Sequence, residues 1–305
     1  MQIARVATFA SIDTMVDSTM RAEATMATEE SQESSGLVST DYGGYGAGAG
    51  QIVNLQVSVS QATAFADAAT AAQDRASAMS SALTSISDLM TSFRTDLTEA
   101  NSTDGGSTDL TDSASELLQQ MASELNTQYE GEYIFAGSQT GTQPVDISDP
   151  PYAAATASSS ADTSYYQGDD TTTSVRVSDQ QVVSYGITAD NTAFEQALRA
   201  MNMVANSSSS TVDSTTISAA STLMESAIED LSDLQGKLSA DTGAIESAGN
   251  EQTSYETFAS TMADDLTNVD VAQVTAKITA YQTQLEAAYA AIAKIEGLSL
   301  ADYLK

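Results

Sequence analysis

Six glycines fall within GLVSTDYGGYGAGAG, residues 36–50. A run such as YGGYGAGAG could cradle a phosphate on its backbone amides. The P-loop, however, needs Gly-Lys-Ser/Thr after its glycines, and here Gln51 follows. The dinucleotide fingerprint needs a strand before it, and here a helical pattern precedes it. A connector is therefore the prediction. QGDDTTT offers the carboxylates of Asp169 and Asp170 to a cation, but without EF-hand spacing, so a hairpin turn is expected. The chain has no His and no Cys, which removes the commonest general base, the thiolate nucleophile and the usual metal ligands. A serine nucleophile would need a lysine base, and none of the four lysines lies in an S-x-x-K pattern. No catalytic constellation emerges. The expectation is a protein that is not an enzyme and uses no cofactor or metal. Asn101-Ser102-Thr103 and Asn206-Ser207-Ser208 match the N-glycosylation pattern, which is frequent by chance in a Ser/Thr-rich chain.

With chemistry set aside, composition bears on what the chain can touch. Forty-two acidic against ten basic residues give a net charge of −32. Such a chain repels phosphate backbones and anionic lipid, so neither nucleic acid nor membrane is an expected partner. Apolar residues make up 41% of the 305, and a large share of them is alanine. A thick core is not expected, whereas helix-on-helix contacts need only a stripe. No run of 18 apolar residues is present. The opening MQIARVATFASIDTMVDSTM lacks the apolar region of a secretory signal.

The elements follow from periodicity. Ile3, Val6, Phe9, Ile12, Val16 and Met20 form a helical stripe within residues 2–34. Helix resumes from Ile52 to about Glu99, where Met79, Leu83, Ile86, Met90, Phe93 and Leu97 step 4, 3, 4, 3, 4 as a heptad seam. NSTDGGSTD reads as a loop and Leu110 to Asn126 as helix. Between 131 and 190 the pattern changes. EYIFA, SYYQ, TSVRV and QVVSYGIT read as strands separated by turns, and all three prolines lie here. Helix returns at Phe194–Val204 and from Ile217 to about Ile245, striped by Leu223, Ile228, Leu231, Leu234 and Leu238. The last helix carries Val271, Val274, Ile278, Tyr281, Leu285, Tyr289, Ile292 and Ile295. The predicted fold class is mainly α: a long antiparallel helical bundle or coiled coil formed by both termini, with a small β-rich domain inserted in the middle. The expected domains are terminal helices at 1–50 and 255–305, a helical bundle at 51–128 and 194–254, and a β-rich domain at 129–193. The two ends are expected to run side by side, but their apolar faces are not expected to be buried by the single subunit, so the ends are expected to be mobile in a free subunit and to become helical on assembly.

Three stretches resemble a known family. GEYIFAGSQTGTQPV at 131–145, YYQGDD at 165–170 and NVDVAQVTAKITAYQTQLEAAYAAIAKIEGLSLADYL at 268–304 are similar to segments of the bacterial flagellin superfamily, and most so to its hook–filament junction branch of hook-associated proteins. The resemblance implies a structural subunit of the bacterial flagellum, with filament flagellin as the alternative. A secreted coiled-coil adhesin is the reading from a different class. The resemblance further implies export through the flagellar channel without a cleaved signal peptide. It implies a homo-oligomer in a helical axial assembly, with neighbouring hook-associated protein and flagellin as partners and an export chaperone as a further one. The terminal helices would pack into an inner tube, with the β-rich domain facing outward. The implied contact residues are Ile3, Val6, Phe9 and Ile12 at one end. At the other they are Val274, Ile278, Leu285, Ile292, Ile295, Leu298, Leu300 and Leu304.

Overall fold

A computed structural model describes residues 2–102, 108–148, 152–207 and 212–303, with terminal-helix side chains described from Ile12 to Ile295. Six helices carry the chain: α1 (Gln2–Ser35), α2 (Ala49–Ser102), α3 (Thr108–Leu125), α4 (Thr192–Ala205), α5 (Ser214–Thr267) and α6 (Val271–Tyr303). Two antiparallel ladders lie between α3 and α4. The first joins β1 (Gln128–Tyr129) to β2 (Glu132–Tyr133), the second β3 (Ser174–Arg176) to β4 (Val182–Ser184). The chain divides into two compact units, residues 1–60 with 256–305, and residues 61–255.

Local chemistry sets the helix ends. Asn191 accepts from the amide of Ala193 to start α4. Asp213 accepts from Thr215 and Thr216 at the head of α5, and Asp270 from Ala272 and Gln273 at the head of α6. Each carboxylate or amide oxygen satisfies first-turn donors that have no partner within the helix. α1 ends at Gly36, whose φ of +72° is the left-handed cap that glycine adopts without strain.

The middle unit has a real core. Met79, Leu83, Ile86, Met90, Phe93 and Leu97 are all fully buried, so the heptad of α2 is its inner seam. α5 answers with Ile217, Ala220, Met224, Ala227 and Leu231, again stepping 3, 4, 3, 4. Leu223, Ile228 and Leu234, the larger residues expected on this stripe, are only partly buried beside it. Alanine supplies the contact line because it lets the backbones approach closely. α5 also runs on to Thr267, well past the expected end near Ile245. A Cβ on Gly249 would lie 3.1 Å from the Cβ of Ala69, so that glycine permits a tight helix crossing and does not break the helix. Of the loop expected at NSTDGGSTD, Asn101 and Ser102 belong to α2 and Thr108 and Asp109 to α3, and residues 103–107 lie outside the described residues.

The strands are shorter than periodicity predicts. Of EYIFA only Glu132 and Tyr133 pair, with Tyr129 and Gln128, across a two-residue turn at Glu130 (φ 53°) and Gly131 (φ 82°). Two positive φ values in succession are the turn that matches strand twist in a tight hairpin. SYYQ contributes a single bridge, Tyr166 to Val145. Ile134, Phe135 and Ala136 leave the ladder and enter the core, where Phe135 meets Phe194 edge-to-face at 6.1 Å. The hydroxyl of buried Tyr165 donates to Ala189 O at 2.9 Å, and the amide of Ala189 to Phe135 O at 3.0 Å. Burial in these apolar surroundings pushes the Tyr165 phenol well above its ordinary pKa.

Candidate assembly surface

The two segments that drew chemical interest are structural. YGGYGAG, Tyr42–Gly48, is a short 3₁₀ helix in which Asp41 accepts from Gly44 N. Tyr45 OH donates to Ser39 O at 2.5 Å, and Tyr42 OH to Gln56 Oε1 at 2.9 Å. Asp169, in QGDD, is a clamp. One carboxylate oxygen accepts from Ser138 N at 2.8 Å and Thr171 N at 3.1 Å, and the other takes a short hydrogen bond from the Ser138 hydroxyl. Gly137, at φ +67°, makes the approach possible, because a Cβ there would sit 2.3 Å from Asp169 O. The two family-like stretches thus meet each other. Of the glycosylation-pattern residues, Asn206 spends its amide on Asn202, and Asn101 and Ser102 close the last turn of α2.

The Ser138 hydrogen bonds hold the Asp169 carboxyl at about 2, below its model-peptide value of 3.8. A depressed folded pKa gives stability that is complete above the unfolded value and is lost as pH falls toward the folded one. The clamp should therefore open between about pH 4 and pH 2. Ser138→Ala should flatten the stability profile of the middle unit in that window and leave neutral pH less affected. An unchanged acid limb in urea titrations would reject this role.

The terminal unit is built on α1 against α6. The chain connection is fixed by backbone hydrogen bonds from Val38 N to Thr267 O (2.8 Å) and Val269 N to Gly36 O (2.9 Å), around a Leu37–Asn268 bridge. α6 presents Val274, Ile278, Tyr281, Leu285, Ala288, Ile292 and Ile295 inward, alternating steps of four and three. Val274, Ile278 and Leu285 are buried, and Ile292 and Ile295 half-buried. On α1 the inward line is Ile12, Met15, Thr19, Ala22, Met26, Glu29 and Glu33. Lys277 Nζ lies 3.2 Å from Glu29 Oε1, Thr275 Oγ1 donates to Glu33 at 2.6 Å, and Tyr289 OH donates to Glu23. As α1 numbers fall the α6 partners rise, so the pair is antiparallel.

This arrangement corrects two expectations. The α1 stripe does not continue through Val16 and Met20, which are exposed, Met20 at 62%. The termini do run side by side, and their faces are also buried in part within the subunit, since Val274, Ile278 and Leu285 are covered where α6 meets α1. Of the implied contact residues, the structure brings together Ile12, Val274, Ile278, Leu285, Ile292 and Ile295 in one unit. Ile3, Val6, Phe9, Leu298 and Leu300 lie in the helical backbone of α1 and α6, but their side chains are outside the described residues, as is Leu304 altogether.

An exposed apolar surface lies elsewhere on this unit, in part on residues of the expected stripes. Among the described residues it exposes Val16 and Met20 on α1, Tyr42 on the 3₁₀ helix, Val53 and Val57 on α2, Phe258 on α5, and Val271 and Tyr289 on α6. Among the described residues the middle unit exposes Val182 and, at its last residue, Tyr255. Val16/Met20 and Val53/Val57 are each four residues apart, so each pair forms a patch on one helix face. Among the described residues no group of three or more His, Cys, Asp or Glu could hold a metal. None of their helices is long and apolar enough to cross a membrane.

Residues 6–140 match the family described as the bacterial flagellin N-terminal helical region. In fold the chain is similar to a structure named, provisionally, as a flagellar hook-associated protein from Vibrio parahaemolyticus. That match has 14% identity and a TM-score of 0.60, and covers 75% of this chain and 99% of that one. Hook-associated protein-3 from Legionella pneumophila matches at 14% identity and a TM-score of 0.42, covering 71% and 97%. FlgL from Xanthomonas campestris matches at 14% and 0.41, covering 74% and 99%. No curated protein shows a sequence match to this chain.

Proposed function

We propose that this protein is a structural subunit of the bacterial flagellar axis, placed at the junction of hook and filament and assembling through its terminal unit. The observation that carries the reading is the unequal distribution of exposed apolar side chains. Among the described residues eight sit on helices of the terminal unit, where a subunit of a helical array must meet its neighbours, while the middle unit is nearly clean. The flagellin N-terminal match and the hook-associated fold support the same placement. Homo-oligomeric packing, contact with neighbouring hook-associated protein and flagellin, an export chaperone, and export without a cleaved signal all belong to this proposal. So does an outward-facing β-rich segment at 129–193.

Imaging a deletion strain tests it. Hooks without filaments, with flagellin lost to the medium, are expected. Completed junctions lacking only the filament would make the chain a filament flagellin instead. Unimpaired swimming would reject both and favour a secreted adhesin.

A further inference from the structure

Methionine is the one side chain in this sequence that a peroxide oxidises readily. The chain has eleven methionines and no Cys, His or Trp. Ten of the eleven lie in the described residues, and burial separates them. Six are buried in the middle unit, and three, Met15, Met26 and Met262, are half-buried. Among the described methionines Met20 alone is open, at 62% exposure. Val16 lies one turn before it and Ala24 one turn after, both exposed, so its sulfur belongs to the apolar patch of α1. Asp17 and Glu23 flank it, three positions to either side. Those carboxylates and the net charge of −32 repel an anionic oxidant such as hypochlorite, but not uncharged hydrogen peroxide.

We infer that Met20 is the site at which hydrogen peroxide oxidises this subunit, and that its sulfoxide stops the α1 patch from packing against a second copy of the chain. The first half stands on the subunit alone; the second rests on the flagellar reading. The sulfide sulfur attacks one peroxide oxygen. The O–O bond breaks as the S–O bond forms, the departing hydroxide takes the proton left on the new S–OH, and water leaves. Sulfur loses two electrons and peroxide gains them. The product puts a polar, chiral S=O where a flexible apolar tip had been. On the free subunit that oxygen stays hydrated, because Met20 is exposed, and the fold is not disturbed. Against the apolar face of another copy it would lose its water and find no donor. A methionine sulfoxide reductase, with a dithiol as electron donor, reverses the change.

Hydrogen peroxide applied to the purified full-length monomer, followed by tryptic mapping, tests the site. Met15 and Met20 share the tryptic peptide 6–21, so fragment ions give their ratio directly. Met20 should oxidise at a rate near that of free methionine, Met15 several-fold more slowly, and the six core methionines about tenfold or more slowly, as protection by packing requires. Equal rates at Met15 and Met20 would overturn the site. The contact is tested in cells with Met20→Gln, a neutral polar stand-in for the sulfoxide, beside Met20→Leu. Both variants should be exported and unfold at the parental temperature; cells with the Leu variant should swim, and those with the Gln variant should not. Swimming by the Gln variant would overturn the block on packing. So would loss of swimming by both, since the defect would then not be one of polarity. A lowered unfolding temperature in the Gln variant would show that Met20 is packed in the subunit and overturn the site. If deletion of the chain leaves swimming intact, the flagellar reading fails, while the peroxide result still decides the site.

Discussion

Leu285→Asp should open the α1–α6 pair while the middle unit stays folded. Leu285 is 6% exposed and sits midway along the inward line of α6, with Tyr281 one turn before it and Ala288 one turn after. The described cations of this pair are Arg21, Lys277 and Lys294, and none of them is on the inward line of either helix. A carboxylate placed there would be unpaired. By analogy with a broken buried ion pair, the cost is roughly 3–5 kcal/mol. The seam has little to set against it: α1 contributes Thr19, Ala22 and Glu29 as its buried residues. Amide protection over 274–285 should fall to that of an open helix, while protection over 79–97 is retained. Leu285→Met, close in volume, should cost less than about 1.5 kcal/mol and keep both. If the flagellar placement holds, the Asp variant also fails to assemble and the cells do not swim. Retained protection over 274–285 would show that the seam does not need this side chain. Loss of protection over 79–97 would show that the two units unfold together.

The same residues explain why one terminal helix was legible in the sequence and the other was not. α6 marks its inner line with Val274, Ile278, Leu285 and Ile292, large apolar residues at heptad spacing, so period and burial agree. α1 marks its inner line with Thr19, Ala22 and Glu29, while its larger Val16 and Met20 point outward. A reading that follows large side chains must choose the wrong face from Val16 onward. The helical class and the heptad of α2 were legible for the reason that α6 was. The length of α5 was hidden by Gly243 and Gly249, which propensity counts against a helix, although Gly249 serves a close helix contact. The strand runs misled because EYIFA serves two purposes: two residues pair in a ladder and the next three enter the core. The exposed patches of the terminal unit showed in part as periodic stripes but not as exposed ones, since a face left for a neighbour has the same period as one turned inward.

Phe194→Ala should have the largest effect within the middle unit. Phe194 opens α4 fully buried, and its ring meets that of Phe135, also fully buried, edge-to-face. Phe135 is the core residue of the strand-to-core stretch, and its carbonyl accepts from Ala189, whose own carbonyl holds the Tyr165 hydroxyl. Truncation would leave a cavity where α4 and the strand-rich segment join. Such Phe→Ala changes cost about 3–5 kcal/mol. For a unit of this size that is a fall in Tm of roughly 6–20 °C. The ring pair should add about 0.5–1.5 kcal/mol of coupling beyond area, measured as the non-additive part of a cycle with Phe135→Leu. The clamp at Asp169 hangs from the same stretch two residues further on, through Gly137 and Ser138, so the variant should also lose the acid transition assigned to it. A loss below about 1 kcal/mol would mean that the insert docks on α4 through its hydrogen bonds and not through this ring.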